Sequence, residues 1–257
     1  MHIVHLLRQV HTHKNIISAI TDAGIGNRIT EIANQSTATS IVLITANGER
    51  HFAYYSGANQ YLNKNHILPL LDEHPKILHI SSALALKELD SELKELFVAA
   101  KDKKIVTSMD VTNDASGQWL KKIDEALYHI DIFMPSLVEA IAISSYSKLE
   151  DIVDFFSKYP IKILIIKLGA EGCFVKTQDR QFTLKPVSVD KVVDTTGAGD
   201  NFVAGFMAGL LRGLSVFNAV VLGSTAAGFC MSKTGAAPGF KNWEELISFG
   251  EKYFEVQ

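Results

Sequence analysis

Short apolar runs alternate along this chain with stretches whose hydrophobic residues recur at helical spacing, and that alternation constrains the fold more than any other feature. Residues 77–80, 105–109, 130–134 and 161–167 are short and largely apolar, as expected of parallel strands covered on both faces. Between them, residues 84–101, 117–128 and 149–158 carry amphipathic patterns, the last closed by Pro160. Such a rhythm folds as right-handed βαβ units on a mostly parallel sheet, so the predicted class is α/β. Two places break it. Residues 41–45 and 51–55 flank Asn47-Gly48, a strong hairpin signal, and residues 172–176 and 180–184 form a second predicted hairpin across Gln178-Asp179. A helix is predicted over 15–22, with Gly24-Ile25-Gly26 read as its C-cap. Beyond Gly199 the chain turns helical over 202–211, 216–231 and 243–253. Gly205, Gly209 and Gly213 recur every fourth residue and predict a helix face packed closely on the sheet.

With 257 residues, 47% of them hydrophobic, the chain can bury roughly 70–75% of its unfolded surface without metal or disulfide staples. It is read as a single domain over 1–257. Twenty-five Lys+Arg against 28 Asp+Glu leave a net charge of -3, which forecasts neither nucleic-acid nor anionic-membrane binding. Cys173 and Cys230 lie in apolar stretches without CxxC spacing and read as buried thiols in a reducing compartment. The opening residues are too short and interrupted for a signal peptide. Residues 202–231, broken by Arg212, Asn218 and several glycines, read as buried helices rather than a membrane span. A cytoplasmic location is expected. His2, His5, His11 and His13 cluster near the start without a carboxylate or cysteine in register, and read as an exposed terminus rather than a metal site.

The sharpest chemistry lies in Asp194-Thr195-Thr196-Gly197-Ala198-Gly199-Asp200-Asn201-Phe202, preceded by Val192-Val193. It reads as strand, tight turn and helix N-terminus. Small residues in the turn let the backbone approach a ligand without β-carbons in the way. Unpaired N–H groups of Gly197, Ala198 and Gly199 would point out of the helix start, where the dipole favours negative charge: a hole for a transferring phosphoryl group. Asp200 at its mouth could accept the proton of an attacking hydroxyl. The plainer reading, a helix cap, does not require Gly-Ala-Gly or a second Asp six residues upstream. No GxxxxGK followed by Ser or Thr occurs, which excludes a P-loop kinase.

The run from Asp194 to Met207 resembles, along its whole length, the C-terminal signature of the ribokinase-like (PfkB) carbohydrate kinases, and the similarity extends from about Lys14 to the C-terminus. The resemblance implies a three-layer α/β/α sandwich with a mostly parallel sheet and a small β lid at about 39–56. It implies γ-phosphoryl transfer from ATP, with Mg2+, to a hydroxyl of a sugar or sugar acid. Asp200 matches the family's catalytic base, Gly197, Ala198 and Gly199 its anion hole, and Asp194 its substrate side. Pro135-Ser136-Leu137-Val138-Glu139 resembles the family's Asn-x-x-Glu segment, with Ser136 for Asn, which places Glu139 at the metal. Lys167-Leu168-Gly169-Ala170-Glu171-Gly172 resembles the nucleotide-side loop, so Lys167, Gly169 and Gly172, with Thr195, are implied to bind ATP. Ser224, Ala227 and Gly228, with Gly235-Ala236 beyond, resemble the lining of the adenine pocket. Gly48-Glu49-Arg50 and Ser56-Gly57-Ala58-Asn59 resemble the lid and its return. Asn59 and Asp110 are implied on the substrate side, although Asp110 and Asp114 also read as capping carboxylates. A homodimer through the lid is implied as well.

The family's opening strand, with its substrate-binding Asp, Gly-Gly segment and Asn, has no match before Lys14. The sequence is therefore expected to be a shortened kinase or one that has left ordinary sugar phosphorylation. The rival readings are a nucleoside kinase and a non-catalytic nucleotide- or sugar-binding relative.

Overall fold

The computed structural model describes residues 2–3, 6–7, 11–24, 26–27, 29–44, 50–240 and 242–253. Asn47, Gly48 and Glu49 of the predicted lid turn, His5 and Ile25 lie outside the described residues. The chain divides into two compact units, 1–130 and 131–257.

In the first unit, β1 (His2–Ile3) and β2 (Leu6–Leu7) precede helix α1 (His11–Asp22). They pair in parallel with β3 (Gly26–Asn27) and β4 (Thr30–Glu31), respectively. β5 (Thr39–Ile44) and β6 (Arg50–Tyr55) form the predicted antiparallel hairpin, Thr39 opposite Tyr55. Three short 3₁₀ turns follow, over 57–61, 64–66 and 68–73. β7 (Ile77–Ala83) then runs parallel to β8 (Val106–Val111), with Ile77 opposite Val106.

Between β7 and β8 the structure departs from the single helix predicted over 84–101. It holds a four-residue α2 (Lys87–Asp90) and a separate α3 (Leu93–Asp102). The cause is Asp90. Its buried carboxylate accepts the N–H groups of Leu84 and Leu86 at 2.8 and 3.0 Å, so the chain coils around the side chain before a helix can propagate. Ser82 and Leu84 take left-handed φ of 58° and 79° to make that turn. α3 then buries Leu93, Leu96, Phe97 and Ala100, a stripe at helical spacing.

α4 (Trp119–Leu127) is preceded by Asp114, a buried carboxylate that accepts from the Ser116 and Gln118 N–H groups, the Ser116 hydroxyl and the Lys122 ammonium. Burial pushes this carboxyl upward, but the Lys122 and Ser116 bonds prevail and hold it at about 2. A depressed folded-state value stabilises the protein above the unfolded value of 3.8 and is lost as pH falls toward 2. Asp114→Ala is expected to cost about 2 kcal/mol at neutral pH and much less near pH 2, as measured by urea denaturation at both.

The second unit begins with β9 (Ile132–Phe133), parallel to β10 (Ile163–Lys167). β11 (Cys173–Lys176) and β12 (Gln181–Leu184) add antiparallel strands beyond β10. Leu164, Ile165 and Ile166 of β10 are all buried, which explains a continuous apolar run rather than an alternating one. Helices α5 (Leu137–Ser144) and α6 (Leu149–Phe156) lie between β9 and β10 in sequence. After β12 come α7 (Ala198–Leu211), α8 (Val216–Met231) and α9 (Trp243–Gly250). Ile132, Met134, Ile165, Val175, Phe202, Phe206 and Val220 form one buried cluster. Both units thus carry parallel strand pairs with intervening helices, the predicted α/β class.

Two expectations change here. No strand forms at Val192-Val193; both side chains are about half exposed, and the N–H groups of Val193 and Asp194 turn to the Met231 carbonyl at 2.8 and 3.3 Å. Gly205 and Gly209 seat α7 against α8 rather than on the sheet, and Gly213 lies beyond α7 with open space around it. A β-carbon at Gly205 would lie 2.8 Å from the Leu222 carbonyl oxygen, and one at Gly209 would lie 2.9 Å from the Ala219 Cα. Cys173 and Cys230 are both buried free thiols, and burial pushes Cys173 up to about 12. No helix among the described residues is long and apolar enough to cross a membrane.

Candidate active site

α7 starts one residue before Gly199. Gly197 is its N-cap, left-handed at φ 76°, and Asp200 is the third helical residue. Gly197 is required twice over: by that backbone angle, and because a β-carbon there would sit 2.3 Å from the Ala236 carbonyl oxygen. Gly199 is different. A β-carbon would meet only the Lys167 Nζ, at 3.7 Å, and that distance places the Lys167 ammonium at the mouth of the helix.

Among the described residues, the N–H groups of Gly197 and Gly199 have no protein acceptor, whereas that of Ala198 donates to the Thr195 carbonyl at 3.3 Å. The predicted three-donor hole therefore has one donor engaged by a long internal bond. Gly199 and Asp200 are exposed. The site thus combines open main-chain donors, the positive end of a 14-residue helix, a nearby ammonium and an accessible carboxylate. Such a set can hold an anion and accept a proton beside it.

The loop carrying these donors is braced from behind. Asp194 accepts the Thr196 N–H at 2.9 Å with one oxygen and the Gly235 N–H at 3.1 Å with the other, so this residue, expected on the substrate side, is engaged by main chain. The Asn201 amide donates to the Gly197 and Ala236 carbonyls, both at 2.8 Å. The Cys230 thiol lies 3.4 Å from the Thr196 carbonyl oxygen as donor. Burial first, and then the Asp194 and Asp200 carboxylates, raise that thiol above its usual value, so it stays protonated as a donor. Sequence reasoning missed Asn201 and Cys230. The Gly197–Asn201 spacing of four was a local signal, but nothing local linked either residue to a loop over 30 positions away.

The carboxyl end of β10 lies beside the segment after β9. The Lys167 N–H donates to the Pro135 carbonyl at 2.9 Å, and Lys167 and Ser136 form a parallel bridge. Ser136 and Glu139 make a capping box: the Ser136 N–H donates to the Glu139 carboxylate at 2.6 Å, and the Glu139 N–H donates to the Ser136 Oγ at 3.3 Å. The second Glu139 oxygen has no partner among the described residues. Gly172 is left-handed at φ 92° and packs so tightly under the Leu184 carbonyl that any β-carbon would clash. Gly169 has open space around it, and Thr195 is exposed.

The remaining candidates sit differently. The Ser224 hydroxyl accepts the Val187 N–H at 3.0 Å, Gly228 abuts Val187 and Val189, and Ala227 packs on the core, so all three are engaged in packing. Asn59 and Asp110 belong to the first unit. Asn59 lies in a 3₁₀ turn, its N–H on the Ser56 carbonyl, and buried Asp110 accepts the Val111 N–H at 2.9 Å.

The profile of pfkB family carbohydrate kinases matches residues 11–243. An uncharacterized sugar kinase of Archaeoglobus fulgidus is 31% identical over 212 residues, spanning 80% of this chain and 81% of its own length. Ribokinase of Haemophilus influenzae is 27% identical over 244 residues, 93% of this chain and 77% of that protein. Among solved structures, a candidate ribokinase II from E. coli in complex with ATP and Mg2+ superposes with a TM-score of 0.86 at 22% identity, covering 98% of this chain and 83% of that one. The fold is thus ribokinase-like. A match over residues 11–243 takes in both units and the α7 motif, and the chain belongs to the pfkB family of carbohydrate kinases.

Proposed function

We propose that this chain transfers the γ-phosphoryl group of ATP to a hydroxyl of a sugar or sugar acid at the mouth of α7. The observation that carries the reading is the pairing of exposed Asp200 with open Gly197 and Gly199 N–H groups on one helix start. In a loose phosphoryl-transfer transition state, charge spreads over the equatorial oxygens, and fixed donors aimed at that charge supply most of the catalysis. Gly197, Gly199 and Lys167 hold the migrating group, and Asp200 receives the acceptor's proton. Gly169 and Thr195 lie on the nucleotide side of this reading. Asn201, Asp194 and Cys230 keep the donors aimed.

Among the described residues no three His, Cys, Asp or Glu side chains converge on a metal position. Mg2+ keeps several waters and takes one or two carboxylates with substrate phosphates rather than a full protein cage. Glu139, with one oxygen held by the Ser136 N–H and the other open, would hold it through water. When bound, Mg2+ neutralises phosphate charge.

The same reading sets the kinase in the cytoplasm, where two buried free thiols fit a reducing compartment. It pairs two copies through the hairpin, whose Ile41, Leu43, Tyr54 and Tyr55 are more than half exposed. A screen of ADP release with sugars, sugar acids and nucleosides tests the assignment. Turnover with a sugar or sugar acid is expected; turnover confined to nucleosides, or none with any acceptor, would overturn it.

A further inference from the structure

Within the first unit lies a hollow of about 600 Å³, lined by none of the residues assigned to the phosphoryl transfer. Its lining includes Ser56, Gln60, Lys87, Lys94, Lys121 and Lys122, with Leu84 and Ala85. That volume lies within the usual range for small-molecule sites.

The charge around this hollow is not balanced by the protein. Lys94 pairs with Glu125 at 3.1 Å and Lys122 with Asp114 at 2.7 Å. Lys87 and Lys121, on α2 and α4, have no acceptor among the described residues. The other carboxylate of the lining, Asp90, cannot answer them. Both its oxygens are taken by main-chain N–H groups, at 2.8 and 3.0 Å, and it pairs with neither lysine. Two unanswered ammonium groups around one concavity repel each other, and a bound anion relieves that repulsion. Gln60, Ser56, Ser91 and Gln118 add polar groups to the same lining.

The backbone beside the hollow is strained as well. Ser82 and Leu84, neither of them glycine, are left-handed at φ 58° and 79° where β7 ends. The Asp90 bonds to the Leu84 and Leu86 N–H groups hold this turn. Here it brings Leu84 and Ala85 into the lining. Ser56 directly follows β6, so an occupant would also touch the root of the hairpin.

We propose that this hollow of the first unit is a binding site for a small multiply charged anion held by Lys87 and Lys121. Phosphorylated metabolites and polycarboxylates share that chemistry. The test is calorimetric titration of pyrophosphate, and separately citrate, into the full chain and into a K87A/K121A double variant. Both lysines are exposed, so the variant is expected to fold. Saturable binding of at least one anion to the wild type is expected, weakened at least tenfold in the variant and by added NaCl, with ATP affinity unchanged. Pyrophosphate alone would mark a phosphorylated ligand, and citrate alone a polycarboxylate. Equal binding by the variant would assign the anion to another site, such as the α7 mouth, and overturn the proposal. So would the absence of saturable binding, or a matching loss of ATP affinity. None of these outcomes bears on whether Asp200 is the base.

Discussion

Replacing Asp200 by Asn is expected to lower kcat by about 10²–10⁴ while ATP still binds, because the amide cannot accept the hydroxyl proton yet keeps the shape of the carboxylate. The geometry makes the split legible. Asp200 is exposed in the first turn of α7, so its replacement leaves no buried partner unsatisfied and should not unfold the helix. Steady-state ADP release, set beside calorimetric ATP titration, separates the two effects. A variant with undiminished kcat would give the proton to some other group, whereas loss of ATP affinity with unchanged kcat would make Asp200 a binding residue only.

Gly197→Ala is expected to damage both stability and turnover. The left-handed angle of 76° costs an alanine about 1–2 kcal/mol. The new β-carbon would also lie 2.3 Å from the Ala236 carbonyl oxygen, so one of the two loops must move. Either movement breaks the Asn201 bonds that tie Gly197 to Ala236 and turns an N–H donor away from the phosphoryl position. Loss of one such donor is worth about 10²–10³ in kcat. Gly199→Ala supplies the control, since its β-carbon makes only an ordinary 3.7 Å contact with the Lys167 Nζ. The expected order is a lowered melting temperature and a collapse of kcat for Gly197→Ala, with a much smaller change for Gly199→Ala. Equal effects at the two positions would mean that the close approach of Ala236 does not shape the site.

Elements that announce themselves locally were readable from the sequence alone. β10 is an apolar run because Leu164, Ile165 and Ile166 are all buried, and α8 spans Val216–Met231, the bounds its pattern indicated. The tight turn and helix start at Gly197–Asp200 were readable for a similar reason: small residues, a helix start and a carboxylate fall within one short run. Other features depend on partners far away in sequence. Asp90 splits a predicted helix because burial and two main-chain N–H groups hold it, and neither is written in its neighbours. Val192 and Val193 look like a strand, but the Met231 carbonyl, 37 residues on from Asp194, takes the N–H groups. The repeat of Gly205 and Gly209 gave the right tight packing with the wrong partner, because spacing says that something approaches closely and not what. Ser224 and Gly228 contact Val187 and Val189, neighbours that lie far away in sequence.

The amide resonances of Gly197 and Gly199 offer the most direct measurement. In the 15N-labelled chain, saturation with Mg2+, ADP and aluminium fluoride, a mimic of the migrating phosphoryl group, is expected to move both N–H signals strongly downfield as they donate to it. If the mimic binds while those two signals stay where they are in the free protein, the main-chain donors at the start of α7 do not hold the phosphoryl group.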